Sequence, residues 1–491
     1  MAQIKVNADK WIRKISKSPI GINVNFLMDG SFYKSPERTF KDALIDLGVK
    51  YLRYPGGDKS DNTLWSLPPY DKPQPVLAGY GEKVARREFM RFVEDDFRTF
   101  KKCVLGFDDF ITICKEIDVE PIIVVPYDSM FLSPGPDCVI PTREELLRNA
   151  EEWVRYANIK KRYQIKYWEI GNESYIIAHH SGVRAVDYAK DIGEFSRRMK
   201  AVDPTICIMA NGPTGAYPNE SAISPVDKND GEDTIWWQEV MAKSSEDIDI
   251  IAYHDYPCYA WGSYDHYAYN SVDLSKGVFY INNMLETYCS FEDQKRIRLM
   301  LTETNSADWS WNPELPKNKT WSLPGNLGHT LVLFDLIGEN LKIENVDSIL
   351  IWNTRWVNND KGTGYEFWDS LDENNQLLSP GLAIKLWNDG LLDGLVEVEE
   401  IEGVSCFATS SASADLNVFI INKGYTTLNI ELQIFGKTFK SEKNVKHWML
   451  SGFGAEDPNP SLRQCPDLVM DKAEAMIISL PPVSLHQICF E

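Results

Sequence analysis

Two glutamates stand directly after apolar, β-branched segments, each within a short polar motif. Glu173 ends the run Trp168 to Glu173 (WEIGNE), and Glu303 lies in Leu301 to Asn305 (LTETN). Two carboxyl groups that flank a glycosidic bond can cleave it, because one protonates the leaving oxygen while the other attacks the anomeric carbon. A single Glu at such a position is more often part of a surface ion pair, so this interpretation depends on both motifs being present.

Three further polar residues are candidates for shaping such a site. Asn172, beside Glu173, is predicted to bind a sugar 2-hydroxyl, a hydrogen bond that strengthens in the oxocarbenium-like transition state. Tyr256 is predicted to donate its hydroxyl to the attacking carboxylate, and Arg53 to keep that carboxylate ionised by its opposite charge. Ordinary alternatives stay open, since Tyr256 can simply pack and Arg53 can belong to an ion pair inside the fold.

His254, Asp58 and Asn25 are further candidates for contacting a sugar. His254 is predicted to orient the acid/base or to bind a hydroxyl, although a structural histidine is about as common at such a position. Asp58 and Asn25 are predicted to bind sugar hydroxyls. The neighbouring pair Gly56 and Gly57 lacks the spacing of a phosphate loop and its Lys-Ser/Thr, so a tight turn around a sugar is the favoured interpretation.

Aromatic side chains are clustered in two segments near the candidate site residues, and they are predicted to line a sugar-binding cleft. The alternative for each ring is plain core or rim packing. The residues are Trp352, Trp356, Tyr259, Trp261, Tyr264, Tyr267 and Tyr269.

Eight apolar runs recur along the chain and are predicted to be the strands that position these residues. Most lack polar alternation, which is typical of parallel strands covered on both faces. The runs are 21–26, 50–54, 121–126, 165–170, 205–210, 248–253, 297–302 and 348–352. Helical spacing of apolar residues predicts helices between and after them, at 40–47, 107–114, 142–156, 185–202, 233–242, 277–288, 326–338 and 381–392.

Eight alternating strand and helix units favour an α/β fold of the (β/α)8 TIM barrel type over a doubly wound sheet. The barrel is predicted to span residues 16–392. Short apolar runs separated by turn residues then predict a C-terminal antiparallel β-sandwich domain over 393–491, joined by the N-terminal residues 1–15. Since barrel enzymes carry their reactive groups at the C-terminal ends of the strands, the polar residues after the runs are expected to share one mouth.

Composition narrows the classes of partner. A formal net charge of −21 over 491 residues disfavours nucleic acid and anionic membranes, and no run is long enough to span a membrane. The charged start of the chain does not read as a signal peptide, and the nine scattered cysteines are predicted to be reduced thiols, so a cytoplasmic location is expected. No cofactor or metal is predicted, because only His254 of the seven histidines follows a strand, which disfavours a metal-dependent barrel hydrolase.

These motifs resemble those of the clan A retaining glycoside hydrolases. The motif RYPGG at the second run, WEIGNE and LTETN occur in the order and spacing of that clan, and the likeness extends to the stretch Leu480 to Ser484 (LPPVS). The α-L-arabinofuranosidase family is most similar, with the heparanase and β-glucuronidase family a near second. The resemblance implies a barrel with a β-sandwich, Glu173 as acid/base, Glu303 as nucleophile, Asn172 as the 2-hydroxyl contact and Tyr256 as the tyrosine beside the nucleophile.

The implied function is retaining cleavage of terminal glycosidic bonds in an oligosaccharide or glycoside, as in an α-L-arabinofuranosidase-like exo-enzyme. The motif Thr302 to Asn305 departs from the Asp-Glu-Trp-Asn that many arabinofuranosidases show, and Asp255 stands where relatives often carry an aromatic residue. The sugar therefore stays open, with β-glucuronidase, heparanase, β-galactofuranosidase and β-xylosidase types as alternatives. A non-catalytic carbohydrate-binding barrel is the alternative of another class, and the resemblance also allows a homo-oligomer.

Overall fold

The computed structural model describes most of the chain. The described residues are 2–31, 37–81, 89, 91–96, 98–131, 139–176, 183–215, 232–258, 261–307, 325–358, 365–399, 401–413, 415–437, 445–468 and 475–490. In chain order the strands are β1 (Ala2–Lys14), β2 (Ile20–Asn23), β3 (Tyr51–Tyr54), β4 (Thr63–Leu64), β5 (Val76–Leu77), β6 (Glu120–Val125), β7 (Tyr167–Ile170), β8 (Cys207–Gly212), β9 (Ile250–His254), β10 (Arg298–Thr304), β11 (Val346–Ile351), β12 (Arg355–Asn358), β13 (Tyr365–Trp368), β14 (Gly394–Glu399), β15 (Val404–Ser410), β16 (Leu416–Asn422), β17 (Leu428–Phe435), β18 (Lys446–Ser451), β19 (Ser461–Gln464), β20 (Ala475–Leu480) and β21 (Ser484–Phe490). The α-helices are α1 (Phe40–Leu47), α2 (Phe107–Glu116), α3 (Arg143–Val154), α4 (Ala185–Val202), α5 (Glu232–Ser244), α6 (Tyr264–Tyr269), α7 (Lys276–Tyr288), α8 (Phe291–Arg296), α9 (Leu327–Leu341) and α10 (Ser379–Gly390).

Eight parallel strands close into a barrel, which confirms the predicted fold class. The order around the barrel is β2, β3, β6, β7, β8, β9, β10 and β11, with β11 pairing back to β2. Side chains of these strands form a small cluster of their own, apart from the main core between strands and helices, and it includes Tyr51, Tyr167 and Met300. Since strand side chains alternate between the two faces of the sheet, this cluster fills the barrel interior.

Local sequence signals start and end several of the surrounding helices. Thr39 and Asp42 form a reciprocal capping box at the start of α1, and Thr142 and Glu145 do the same for α3. Gly48 ends α1 in a left-handed conformation that glycine adopts without steric cost. The predicted helices agree with the observed ones to within a few residues, because these apolar faces pack on the barrel.

A second, nine-stranded sheet follows the barrel and curls around its own apolar core. Its strand order is β19, β18, β21, β16, β15, β14, β1, β17 and β20. The pairing is antiparallel except between β1 and β17, so the first strand of the chain lies within this C-terminal sheet. Among the described residues, no helix combines the length and apolar character that crossing a bilayer would need.

A buried polar cluster joins the barrel to the second sheet. Asp335 of α9 pairs with Lys423, which follows β16, at 2.9 Å, and accepts hydrogen bonds from Tyr267 and Ser405. Tyr264 donates to the backbone carbonyl of Lys423 at 3.0 Å. The prediction that Tyr264 and Tyr267 wall a sugar cleft is therefore wrong, because α6 turns both rings into this contact, while Tyr259 lies outside the described residues.

Lowering the pH is expected to destabilise the protein partly through His486 in the second sheet. This residue is fully buried, with Nδ1 2.9 Å from Nε2 of His447 and Nε2 3.0 Å from the hydroxyl of Ser484. Burial, and then the neighbouring His447, lower the pKa of His486 from 6.5 to about 3. Between these values the unfolded chain binds a proton that the folded chain does not, so the free energy of unfolding falls as the pH drops through this window.

Urea unfolding midpoints at pH 7 and pH 5 test this expectation in the wild type and in His486→Asn. The variant is expected to be less stable at pH 7, because it loses buried contacts, but to lose less stability on acidification. The exposed residue His266 supplies the control His266→Asn, which should follow the wild type. Equal losses in the wild type and His486→Asn would contradict the prediction.

Candidate active site

The polar residues predicted from the sequence converge at the C-terminal mouth of the barrel. Arg53 is the penultimate residue of β3, His254 the last of β9 and Glu303 the penultimate residue of β10, while Glu173 follows the end of β7. His254 and Glu303 were expected just after their strands and instead lie inside the strand ends. The backbones of His254 and Glu303 are thus held by the hydrogen bonds between barrel strands, and this fixes the direction of their side chains.

Arg53 is the hub of the site, and all five of its N–H donors are used. It binds the Glu169 carboxylate in bidentate fashion at 2.7 and 2.9 Å, and donates to Glu303 at 2.6 Å, Asn172 at 2.8 Å and Asn23 at 3.0 Å. Burial opposes its charge, but the carboxylates of Glu169 and Glu303 outweigh this and raise the pKa of the guanidinium. Arg53 therefore supplies a permanent positive charge beneath the mouth.

Glu303 is nearly fully buried and is held from two sides. Its Oε1 accepts from Arg53, and its Oε2 accepts from the hydroxyl of Tyr256 at 3.0 Å. Burial raises the pKa of the Glu303 carboxyl, while His254 and Arg53 act in the opposite direction. The predicted contacts of Arg53 and Tyr256 with this carboxylate are both present in the structure, and two donors fix its orientation.

Glu173 lies at the surface of the cleft rather than within the strand. Its side chain is 21% exposed, against 6% for Glu303, and its backbone has the left-handed φ of 51°. Oε1 lies 2.9 Å from Nδ1 of His254 and 3.5 Å from the hydroxyl of Tyr175. Ligand atoms of Glu173, His254 and Glu303 all lie within 4.8 Å of one another, so the two carboxyl groups face each other at short range.

His254 lies between the two carboxyl groups. Its Nδ1 is 2.9 Å from Glu173 and 3.5 Å from Glu303, while its Nε2 is buried and has no hydrogen-bond partner among the described residues. Burial lowers the pKa of His254 to about 4, although the charge of Glu303 works against this, so the ring is neutral near pH 7. A neutral ring with its proton on Nδ1 donates to the carboxylates without adding charge.

Asn172 is oriented by two groups deeper in the barrel. Its amide oxygen accepts from Arg53, which leaves the NH2 group as the available donor of the side chain. Its backbone N–H donates to Asp61 at 3.0 Å. The position is consistent with the predicted contact to a sugar hydroxyl, because the donor is aimed by bonds that do not depend on a ligand.

Two predicted binding residues, Asp58 and Asn25, lie outside this hydrogen-bonded cluster. Asp58 is partly exposed and pairs with the buried Lys59 at 3.0 Å. Asn25 is fully buried, and its Oδ1 accepts the backbone N–H of Leu27. Its Nδ2 is buried, and no residue that the structure describes accepts from it. Within the described part of the chain, neither residue hydrogen-bonds to the two glutamates, and their predicted roles remain predictions.

Trp352 forms a wall above the predicted glycine turn. A Cβ at Gly57, which has a φ of 51°, would collide with the six-membered ring of Trp352. Trp356 meets Trp352 edge-on, with ring centroids 6.2 Å apart, and lies under the ammonium group of Lys59 at 5.3 Å. The turn is therefore tight because an indole ring rests directly on it.

Sequence reasoning missed three residues that complete the site. Glu169 is fully buried inside β7, and Asn23 is the last residue of β2 and donates to the backbone carbonyl of Thr302. Tyr175 follows Glu173 in a turn. A charged residue in the middle of an apolar strand was a usable signal for Glu169, because it requires an opposite charge inside the barrel.

Glu173, His254 and Glu303 form the one group of potential metal ligands found within the described ranges. Two carboxylates and an imidazole nitrogen also satisfy the distances of a metal site. These are the same three residues that form the site described above. The group could therefore serve a metal-dependent reaction or a reaction between two carboxyl groups, and activity in the presence of a chelator distinguishes the two.

The protein combines a closed parallel barrel with a β-sandwich. Two carboxyl groups face each other at the C-terminal mouth of the barrel, so the class is a barrel protein with a paired-carboxylate site. Residues 43–270 match the family model described as the alpha-L-arabinofuranosidase 1 domain. The match covers 228 of the 491 residues, so over this range the chain is similar in sequence to alpha-L-arabinofuranosidases. The matched range contains Arg53, Glu173, His254 and Tyr256 and ends before Glu303.

Individual relatives are distant. The intracellular exo-alpha-(1->5)-L-arabinofuranosidase of Acetivibrio thermocellus is 23% identical over 270 residues, 52% of this chain and 48% of the relative. The chain spans about a third to a half of the length of the curated relatives it matches. An alpha-L-arabinofuranosidase from Thermotoga maritima, solved with arabinose, has a TM-score of 0.70 at 18% identity over 100% of both chains. A Paenibacillus polymyxa xyloglucanase of family GH44 has a TM-score of 0.64 at 13% identity over 99% of both. These likenesses show the fold.

Proposed function

We propose that this protein is a retaining glycoside hydrolase that works by double displacement. The observation that carries the proposal is the short approach of the two carboxyl groups, whose ligand oxygens lie within 4.8 Å of each other. Retaining enzymes hold their carboxyl groups about 5–5.5 Å apart, whereas inverting enzymes need about 6.5–9.5 Å to admit a water molecule. The short spacing at this mouth therefore favours direct attack on the sugar over attack by an intervening water.

In the first step, Glu303 is the nucleophile and Glu173 the acid. A carboxylate oxygen of Glu303 forms a bond to the anomeric carbon as the bond to the leaving oxygen breaks, and Glu173 gives its proton to that oxygen. The assignment of roles follows from burial and contacts. Glu303 is held by Arg53 and Tyr256 and cannot easily move, while the more exposed Glu173 is placed where a leaving group and water can reach it.

In the second step, Glu173 acts as the base. It takes a proton from a water molecule whose oxygen attacks the anomeric carbon, and the ester bond to Glu303 breaks. The charge that builds on the Glu303 carboxylate is met by Arg53 and the Tyr256 hydroxyl, both already in place. The NH2 group of Asn172 binds the 2-hydroxyl in both steps.

The substrate class that fits best is a neutral glycoside with a terminal sugar, with an α-L-arabinofuranoside as the first candidate. Arg53 has no donor left for a substrate carboxylate, and Arg355 is buried in a pair with Asp29 at 2.9 Å. Lys59 is engaged by Asp58. A uronic acid needs a cation to bind its carboxylate, and these three described cations are already engaged, so the charge distribution of the described residues favours arabinofuranosides over glucuronides. The arabinofuranosidase-like sequence motifs support the same choice.

The test is an assay of the purified protein on nitrophenyl glycosides. The panel comprises α-L-arabinofuranoside, β-D-glucuronide, β-D-galactofuranoside, β-D-xyloside and β-D-glucoside. We expect release from the arabinofuranoside, and NMR of the first product formed in methanol-containing buffer should show a methyl glycoside of unchanged anomeric configuration. An inverted product would contradict double displacement. Activity that vanishes with a chelator and returns with a divalent ion would favour the metal-dependent alternative.

A carbohydrate-binding barrel without catalysis is the alternative of another class. Both carboxyl groups, their partners and the hydrogen-bonded hub are present, and a barrel that only binds sugar has no need of this arrangement. Calorimetric binding of arabino-oligosaccharides without hydrolysis of any glycoside in the panel would favour this alternative.

We also propose that the protein acts inside the cell. The eight described cysteines are free thiols, and Cys138 lies outside the described residues. The relative from A. thermocellus is named intracellular. Thiol titration under native and denaturing conditions tests the redox part of this proposal, which predicts nine reactive thiols after unfolding without reductant.

A further inference from the structure

Two buried aspartates, Asp61 and Asp128, lie directly behind the turn that carries Glu173. Asp61 follows the glycine turn after β3, and Asp128 follows β6. They are 2% and 0% exposed, and Asp61 accepts the backbone N–H of Asp128 at 3.3 Å, so the two carboxyl groups share one buried site. Two carboxyl groups that share a buried site do not both ionise, because each negative charge disfavours the other. The pair therefore carries one negative charge and one proton.

The contacts of each residue show which one holds the proton. Asp61 accepts three backbone N–H groups, from Tyr127 at 3.1 Å, Asp128 at 3.3 Å and Asn172 at 3.0 Å. Asp128 accepts the hydroxyl of Ser174 at 3.0 Å. Three amide donors stabilise a carboxylate far better than one hydroxyl does, so Asp61 is the ion and Asp128 the acid. Burial and the charge of Asp61 raise the pKa of Asp128 well above its usual range.

The two aspartates hydrogen-bond to the residues on both sides of Glu173. Asp61 holds the backbone N–H of Asn172, and Asp128 holds the side chain of Ser174. Asn211 at the end of β8 holds the backbone N–H of Ser174 at 2.9 Å. Glu173 itself has a φ of 51°, a left-handed conformation that a non-glycine residue adopts only when its surroundings impose it. These bonds are the surroundings that impose it.

We propose that Asp61 and Asp128 form a carboxylate and carboxylic acid pair whose single proton, held on Asp128, positions the acid/base Glu173. The proposal rests on the function proposed above and adds two positioning residues to it. The described titratable groups that face the pair are the hydroxyls of Tyr127 and Tyr188. Tyr127 in turn donates to Asp191, which is paired with Arg143. Loss of the proton would place two negative charges side by side in a buried site. Their repulsion would break the hydrogen bonds that hold the turn carrying Glu173.

The proton itself is tested by infrared spectroscopy at pH 7.5. A carboxylic acid carbonyl band is expected in the wild type and in Glu173→Gln, and its loss is expected in Asp128→Asn. An amide at position 128 can still donate to Asp61 and accept from Ser174, so this variant should fold. A band that persists in Asp128→Asn would overturn the assignment of the proton.

The positioning role is tested by the dependence of kcat/KM on the leaving group. A dinitrophenyl leaving group needs no acid, whereas an alkyl leaving group does. Asp128→Ala is expected to lower kcat/KM about 100-fold for the alkyl glycoside and less than about 5-fold for the dinitrophenyl glycoside, as expected for a misplaced general acid. Asp128→Asn should stay within about 3-fold of the wild type on both. Equal losses on the two substrates, or an Asn variant as impaired as the Ala variant, would overturn the proposal.

Hydrogen exchange separates failure of this inference from failure of the proposed function. Residues 171–175 are expected to exchange faster in Asp128→Ala than in Asp128→Asn, whether or not any glycoside is cleaved. If the wild type cleaves nothing, the proposed function fails, and the infrared band together with this exchange difference still decides whether the pair holds the turn. Unchanged exchange in Asp128→Ala would overturn the positioning role.

Discussion

Glu303→Ala is expected to lower kcat/KM on an aryl α-L-arabinofuranoside by about 10⁴-fold or more, while the protein stays folded. The substitution removes the atom that forms the covalent bond, and no other described carboxylate at the mouth is held by both a guanidinium and a tyrosine hydroxyl. Losses of this size are usual when the nucleophile of a covalent mechanism is removed. Initial rates together with the thermal midpoint of each variant give the measurement.

Glu173→Ala is the informative partner of this variant. It should lose about 10²–10⁴-fold on alkyl leaving groups but retain fast release of a dinitrophenyl group, because only the acid is missing. Added azide should then form a glycosyl azide, with retained configuration in Glu173→Ala and inverted configuration in Glu303→Ala. The surface variant Glu151→Ala should behave as the wild type.

The opposite pattern would show that the two roles are exchanged. In that case Glu303→Ala would keep the fast release of dinitrophenol, and Glu173→Ala would not. Activity that survives both substitutions would remove the two-carboxylate mechanism altogether.

Arg53→Met is expected to lower the free energy of unfolding by about 3–5 kcal/mol, the usual cost of leaving a buried charge without its partner. The substitution keeps most of the side-chain volume but leaves Glu169, which is fully buried, without either of its two hydrogen bonds from Arg53. Activity should fall as well, because Glu303 loses the positive charge that favours its ionised form. Urea unfolding of the variant and the wild type gives the measurement.

The pH dependence of this loss tests its electrostatic origin. Burial raises the pKa of the Glu303 carboxyl and Arg53 lowers it, so removing Arg53 should raise this pKa further above its unfolded value. The folded variant then binds more protons, and its stability falls as the pH rises. The difference from the wild type should therefore be larger at pH 8 than at pH 5. The double variant Arg53→Met/Glu169→Gln should recover part of the loss.

A matched surface variant separates this effect from a general cost of removing arginine. Arg155 forms an exposed pair with Glu151 on one helical face, and its side chain is 47% exposed. Arg155→Met should cost no more than about 1 kcal/mol and show little pH dependence. A loss in Arg53→Met no larger than this would contradict the view that Arg53 is the electrostatic hub of the mouth.

Much of this fold was predictable because its signals are local. The alternation of apolar runs and helical spacing identifies eight strand and helix units, and capping residues such as Thr39, Thr142 and Gly48 mark helix ends. Motif residues at strand ends could be assigned to one mouth because a parallel barrel brings those ends together. The pairing of Arg53 and Tyr256 with Glu303 was anticipated in this way.

Other features depend on contacts between distant parts of the chain. Tyr264 and Tyr267 looked like cleft aromatics, but the second sheet lies against α6 and buries them. Asn25 is predicted to bind a sugar hydroxyl, and only the structure shows that its side-chain oxygen also accepts the backbone N–H of Leu27. A single sequence does not show which aromatic rings pack against the second sheet and which line a cleft.

The sequence by itself determined the strand and helix units, the barrel class and the identity of the two glutamates, because these depend on periodicity and on residues next to strand ends. Only the tertiary structure decided the short approach of the two carboxyl groups, the use of all five donors of Arg53 and the burial of Asp61 beside Asp128. Each of these depends on groups at least 30 residues apart along the chain that meet in the folded protein. Burial then sets their charges, and burial is a property of the folded chain rather than of any motif.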